Sequence, residues 1–290
     1  MSLPHAAAPV ATPTAPSAAL PEGACDAHVH MVAGDFPLWE GRVEDPAPGG
    51  LADWLARFEL HLKTLGLTRA VIVHSILYGA DNAVTKAAVA GLGTHRARGI
   101  GLVTDQATER DLDDLAEAGV VGVRLNYVHG GVLSWDGVKR IAPMLKDREM
   151  HVQMLLHTHQ HMVELAGDMA ALPVPVVLDH IGWPDLALTT NDQGFQAMRR
   201  LLGEGHIAVK LSGLYRLCPA PYTQAAPFIE ALVAANPDAC LWGSDWPHLM
   251  LADAAQPDAG VLLNTFLDVV TSEAHRQAIF TDTPARLYGF

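Results

Sequence analysis

The sequence predicts an α/β fold, a single (β/α)8 barrel of the TIM type, somewhat distorted, and three observations carry that prediction. Eight short β-rich runs alternate with helical stretches along 290 residues, a length ordinary for one such barrel. The runs are apolar almost throughout, as parallel strands buried on both faces are. Two short polar motifs, Cys25-Asp26-Ala27-His28-Val29-His30 near the start and Gly243-Ser244-Asp245-Trp246-Pro247-His248 near the end, can meet only if the sheet closes on itself.

The strands are expected at 24–30, 70–75, 99–103, 120–126, 151–156, 174–179, 207–212 and 240–244. After the first of them, Leu51, Trp54, Leu55, Phe58, Leu62 and Leu65 recur at helical spacing, and Gly66 stands where a left-handed cap would end the helix. A second helix, 109–118, ends at Gly119 in the same way. Ser134 is placed to N-cap a helix running to Leu145. Leu172-Pro173-Val174-Pro175 forces a change from helix to strand, because proline blocks the helix and pushes its predecessor extended. The competing architecture is an open doubly wound sheet, but no Gly-x-Gly-x-x-Gly follows the first strand. No repeat or linker divides residues 23–290, which read as one barrel domain. Residues 1–22, rich in Ala and Pro, read as a short disordered tail.

Composition narrows the partners. The formal net charge is -13, which argues against nucleic acid and anionic membrane surfaces, though a pocket can still be locally basic. Cys25, Cys218 and Cys240 form no Cys-x-x-Cys pair, so neither a disulfide framework nor a zinc knuckle is expected. The N-terminal segment lacks the pattern of a signal peptide, and no apolar run is long enough to span a bilayer. The expected location is the cytoplasm, as a monomer or a homo-oligomer.

In such a barrel the chemistry sits at the C-terminal ends of the strands. His28 and His30 end the first strand and face the same side, since side chains alternate along a strand. His74 and Ser75 end the second. Arg124 and Asn126 lie on the fourth, His157 follows the fifth, and Asp179 and His180 end the sixth. Lys210 and Ser212 lie on the seventh, with Tyr215 and Arg216 beyond; Asp245 and His248 follow the eighth. His28, His30, His180 and Asp245 suit two tasks. They are good ligands for zinc or a similar divalent ion, which would make hydroxide at neutral pH. Alternatively the imidazoles donate hydrogen bonds to a carbonyl while Asp245 takes a proton from water. Arg124 and Arg216 match a substrate carboxylate, or else pair with an internal acid. The direction of Lys210 depends on register. His5, His61, His95, His129, His206 and His275 read as surface or loop residues, and the run His157, His159, His161 as a solvated turn into a helix.

These motifs, together with Phe36-Pro37-Leu38, Gly41-Arg42, Tyr78–Asn82, Gly122–Asn126, His151-Val152-Gln153, Val177–Gly182 and Lys210–Gly213, occur in order along the chain. As an ordered set they resemble the amidohydrolase superfamily, in its amidohydrolase 2 group, the branch of 2-pyrone-4,6-dicarboxylate lactonases and related sugar lactonases. The resemblance implies hydrolysis of a small anionic lactone, with Asp245 as general base and His28, His30 and His180 on the carbonyl or on a metal. It implies Ser75, Arg124, Arg216 and His248 as contacts to substrate carboxylates. The branch has members that work with no metal and members that use a single zinc. The carboxylated lysine that bridges two metals in other members is absent; Arg124 stands on that strand. Val43-Glu44-Asp45 follows Arg42 where the branch has a tyrosine, and Leu155 replaces a second tyrosine. Muconolactone-like and sugar-acid lactones therefore join the dicarboxylate as expected substrates. A zinc-dependent decarboxylase and a lactone isomerase are the alternative reactions; a barrel that binds an anion without turnover is the non-enzymatic one.

Overall fold

The computed structural model describes residues 3–251 and 254–290. Eight parallel strands pair in chain order: β1 (Cys25–Val29), β2 (Arg69–Val73), β3 (Ala97–Gly101), β4 (Val120–Asn126), β5 (His151–Leu155), β6 (Val176–Leu178), β7 (Ile207–Leu211) and β8 (Cys240–Trp242). Each expected strand is present. Several stop short of the expected end, because Ser75, Asp179, Ser212 and Ser244 leave the ladder to open the loops above it.

Helices surround the sheet and form where the side-chain spacing demands. α1 (Leu51–Leu65) buries Trp54, Phe58, Leu62 and Leu65, and Gly66 ends it at φ 73°. In α4 (Trp135–Lys146), the Ser134 hydroxyl accepts the Gly137 N–H at 3.0 Å. α5 (Val163–Ala171) stops just before Leu172-Pro173, as proline requires.

The barrel interior holds a small apolar cluster that includes Ala27, Val71, Val73, Ile100, Val177 and Leu241, floored by Tyr288. Above it the interior turns polar. β1 makes the change through a bulge: its register with β2 shifts between Asp26 and Val29. Cys25 and Ala27 point inward. Strict alternation would then carry His28 and His30 outward; the extra residue of the bulge turns both imidazoles in.

Between β8 and β1 the barrel closes without a full ladder. An isolated bridge joins Val29 to Trp246. The Asp245 N–H donates to the His28 carbonyl at 2.9 Å, and the His30 N–H to the Trp246 carbonyl at 2.7 Å. Trp246 in turn packs edge-on against Trp54 of α1, with ring centroids 5.4 Å apart.

Two expectations need correction. Residues 3–22 are held, not loose. The Ala6 N–H donates to the Asp45 carbonyl at 2.7 Å, the Thr14 hydroxyl to Asp258 at 2.7 Å and the Ser17 N–H to Asn264 at 2.7 Å. A proline-rich segment has little backbone freedom to lose, so a few such bonds suffice to seat it. His61 is not at the surface. It is buried on the inner face of α1, stacked on Phe58, because Asp26 gives it a partner at 3.2 Å. The three cysteines are buried and free. Among the described residues no helix is long and apolar enough to cross a membrane.

Candidate active site

The polar groups converge at the C-terminal end of the strands. His28, His180 and Asp245 are buried and offer ligand atoms that all lie within 4.8 Å of one another. Nε2 of His28 lies 3.6 Å and Nε2 of His30 3.3 Å from Oδ1 of Asp245, and Nε2 of His180 lies 3.7 Å from its Oδ2. The four residues singled out on sequence thus meet at one point.

Each imidazole is turned by a partner at Nδ1. His30 donates to the Val73 carbonyl at 2.8 Å. His180 meets the Ser212 hydroxyl at 3.0 Å. Nδ1 of His28 lies 3.2 Å from Oδ1 of Asp179, closer than the 3.5 Å to Nζ of Lys210. This is the arrangement that orients imidazoles around a cation. His180 is presented by a left-handed turn in which His180, Ile181 and Trp183 all have positive φ (53°, 59° and 42°), a local strain of the kind found at functional sites.

Asp245 is anchored on its far side. Oδ2 accepts the Tyr215 hydroxyl at 2.6 Å and Nε of Arg216 at 3.0 Å. Oδ1 is buried without a hydrogen-bond partner, as is Nε2 of His28. Burial alone would push the Asp245 carboxyl upward; the Arg216 guanidinium on Oδ2 outweighs it and holds the group well below the carboxylate range. Burial drives His28 well below the ordinary imidazole value and His180 to about 4, so both are neutral at neutral pH. An ionised carboxylate and imidazole lone pairs therefore share one buried centre, which fits a divalent cation.

The remaining expected contacts divide. Arg124 is loosely held: Nη1 donates to the His74 carbonyl at 3.3 Å, Nη2 is 3.7 Å from Asp179, and Nε is buried without a partner. It has a donor to spare. Arg216 is committed to Asp245 and to the Leu249 carbonyl, at 3.2 Å. Ser75 caps the turn Ile76–Tyr78 by accepting the Leu77 N–H at 3.4 Å, which leaves its own proton free. His248 has both nitrogens occupied, by the Ser244 carbonyl at 3.2 Å and by Gln256 at 3.3 Å. It is turned toward protein, although it follows Asp245 closely in sequence.

Sequence reasoning named several further members without giving them a role. Tyr215 was visible only as a neighbour of Arg216. Lys210 faces inward, fully buried, and donates to Gln153 at 2.5 Å; burial lowers it to about 8 against the opposing pull of Asp179. Gln153 also donates to Asp179 at 3.1 Å, so a buried chain runs from β7 to β5 to β6 and ends on His28. The alternation of Lys210 with Ser212 carried this signal, once the register was known. His157 stacks on Trp183 at 5.2 Å, at the rim of the site and outside the cluster. A cavity of about 580 Å³ lies at the opposite end of the barrel, lined by Glu149, Pro175, His206 and Arg286, and contains none of these groups.

Comparison with known proteins points the same way. Residues 25–290 match the amidohydrolase family. A 4-sulfomuconolactone hydrolase of Rhizobium radiobacter is 36% identical over 282 residues, covering 94% of this chain and 92% of that protein. A 2-pyrone-4,6-dicarboxylate hydrolase of Comamonas testosteroni is 31% identical over 293 residues, covering 96% and 94%. The crystal structure of a probable 2-pyrone-4,6-dicarboxylic acid hydrolase from Acinetobacter baumannii, with citric acid bound, superposes with a TM-score of 0.81. It is 23% identical and covers 92% of this chain and all of that one, a likeness of fold.

Proposed function

The chain belongs to the amidohydrolase family, and from that premise we propose that it is a lactonase that opens a small carboxylated lactone with water activated by Asp245. The observation that carries this reading is the state of Asp245: ionised, buried, fixed through Oδ2, and bare at Oδ1. A carboxylate held this way has one oxygen free to take a proton.

Water seated against Oδ1 gives up its proton there and adds to the lactone carbonyl, forming a C–O bond. The ring C–O bond then breaks, and the proton passes from Asp245 to the departing ring oxygen. The product is a hydroxy acid. Tyr215 and Arg216 keep Oδ1 aimed while the proton comes and goes. Arg124, loosely held and with its side chain still partly exposed, seats a substrate carboxylate as a charge-assisted contact, and Ser75 offers a hydroxyl proton. The two curated hydrolases act on lactones that carry an acid group, which supports the same substrate class.

The donor set supports a single divalent ion, zinc being the fitting choice for imidazole and carboxylate. His28, His180 and Asp245 would hold it, with His30 alongside; bound, it would polarise the carbonyl and lower the pKa of water.

A panel of 2-pyrone-4,6-dicarboxylate, 4-sulfomuconolactone, muconolactone and sugar-acid lactones, read by product mass, tests the proposal with wild type and Asp245→Asn. Hydrolysis by the wild type and a loss of about 10³-fold or more in the variant are expected. Substantial turnover by Asp245→Asn would sink the assignment.

A further inference from the structure

The seam between β8 and β1 is where Asp245 sits, and a second carboxylate holds that seam. Asp26 of β1 is fully buried. Its Oδ1 accepts the backbone N–H of Ser244 at 2.9 Å and that of His28 at 3.3 Å. Its Oδ2 accepts the Ser244 hydroxyl at 2.6 Å and Nε2 of His61, from α1, at 3.2 Å. The Ser244 oxygen accepts the Trp246 N–H at 3.1 Å. Asp26 therefore fixes the residue before Asp245 directly and the residue after it through Ser244. With the same oxygen it grips the backbone of His28.

Backbone pairing does only part of this work, through the Asp245 N–H to the His28 carbonyl and the His30 N–H to the Trp246 carbonyl. β8 ends at Trp242, and Val29–Trp246 is an isolated bridge. Asp245 itself has φ 62°, a left-handed conformation that a non-glycine residue keeps only where its surroundings over-determine it. A buried carboxylate is costly unless several donors meet it. Here four donors converge from β1, α1 and the loop after β8.

We propose that Asp26 is a positioning residue for the reaction: it sets the separation of Asp245 from His28 and His30 without touching the substrate. The proposal rests on Asp245 being the base. It explains why an acid stands two residues before the first imidazole, on the side of β1 turned away from the reacting centre and toward His61 of α1.

The test is steady-state kinetics and thermal melting of Asp26→Asn and Ser244→Ala, singly and combined, beside Asp245→Asn. The substrate is whichever of 2-pyrone-4,6-dicarboxylate or 4-sulfomuconolactone the wild type turns over faster. Asp26→Asn keeps an acceptor for the Ser244 N–H but sets an NH2 against the Ser244 hydroxyl and His61. A fall in kcat of about 10²-fold is expected, as small misplacements of a catalytic group produce, with KM changed little and melting still cooperative. Ser244→Ala should cost roughly tenfold in kcat, and the double variant should be no worse than Asp26→Asn, since both break one contact. Should Asp26→Asn fail to fold, Ser244→Ala decides by the same split of kcat from KM. A kcat within about threefold of wild type in the folded variants, or loss that only tracks the folded fraction, overturns the proposal. A dead Asp245→Asn beside a fully active Asp26→Asn overturns it alone; an active Asp245→Asn overturns the assignment of the base as well.

Discussion

His30 donates its Nδ1 proton to the Val73 carbonyl at 2.8 Å, and that bond decides what its other nitrogen can do. A carbonyl oxygen only accepts, so a neutral His30 presents Nε2 as a lone pair, 3.3 Å from Oδ1 of Asp245. Nε2 of His28 faces the same oxygen at 3.6 Å, also without a proton donor between them. Lone pairs and a carboxylate oxygen at such distances repel in a buried site unless positive charge stands among them. The sequence leaves open whether these imidazoles donate to a carbonyl or hold a metal; the partner at Nδ1 favours the metal.

Exhaustive dialysis against a chelator is therefore expected to abolish lactone hydrolysis, and about one equivalent of zinc per chain to restore it. Metal analysis and activity should be read on the same samples. Full activity in demonstrably metal-free protein would overturn the metal reading.

Tyr215 gives the next prediction. Its hydroxyl donates to Oδ2 of Asp245 at 2.6 Å, and burial with the adjacent carboxylate raises its own pKa well above the usual value, so it stays a donor. A hydrogen bond to a charged group contributes roughly 1.5–3 kcal/mol. Tyr215→Phe should lower kcat by about ten- to a hundredfold and leave KM nearly unchanged. A rise in KM with kcat intact would instead mark Tyr215 as a substrate contact.

Much of this site can be read from the chain, and the unread part has a common cause. The eight strands and the His28, His30, His180 and Asp245 set follow from local patterns, because apolar runs and strand-end polar residues are short-range signals. The bulge in β1 is not a pattern of residue types, so the inward turn of His28 and His30 rests on register with β2. Asp26, His61 and Ser244 meet across the fold, from residues 35 and 218 positions away from Asp26. His61 looks like a surface histidine until α1 is docked. His248 looks like part of the site by proximity to Asp245, but its left-handed backbone, φ 68°, turns it toward the Ser244 carbonyl. Sequence spacing reports which residues end a strand; it does not report which of them the closing seam will turn away.

Burial of histidines away from the reacting centre sets the acid limit of stability. Burial lowers His74 to about 4 and His151 to about 3. The bonds of His74 agree with a neutral ring: it donates Nε2–H to the Gly79 carbonyl at 2.8 Å and accepts the Thr85 hydroxyl at Nδ1 at 2.9 Å. In the unfolded chain both titrate near about 6.5. Between that value and the folded ones the unfolded state binds more protons, so stability is full above about 6.5 and falls as pH drops. The slope is of the order of 1 kcal/mol per pH unit for each such ring. Urea midpoints should hold from about pH 7.5 to about 6.5 and fall steadily from there to about 4.5, and His74→Gln should flatten the fall. A midpoint constant down to about pH 5 would contradict this account.

Gly243 lies close against His28 across the seam, which makes it a place to separate fold from function. A Cβ at Gly243 would stand 2.6 Å from Cβ of His28 and 2.9 Å from its backbone nitrogen. Neither neighbour can give: one is strand backbone, and the other carries an imidazole fixed by Asp179 and Lys210. Gly243→Ala must therefore move β8 away from β1 by several tenths of an ångström or more. Overpacking of this kind costs roughly 1–3 kcal/mol, which a barrel of this size survives. The shift falls directly on the distance between His28 and Asp245. The variant should fold, melt several degrees lower, and lose about 10²-fold in kcat. Gly203→Ala, on the outer helix α6 (Gln193–Gly203) with only the Ala235 carbonyl at 3.8 Å from the new Cβ, is the matched control and should keep wild-type turnover. If Gly243→Ala melts lower yet keeps its kcat, the seam serves stability alone, and the spacing of His28 from Asp245 tolerates more than the geometry of proton transfer allows.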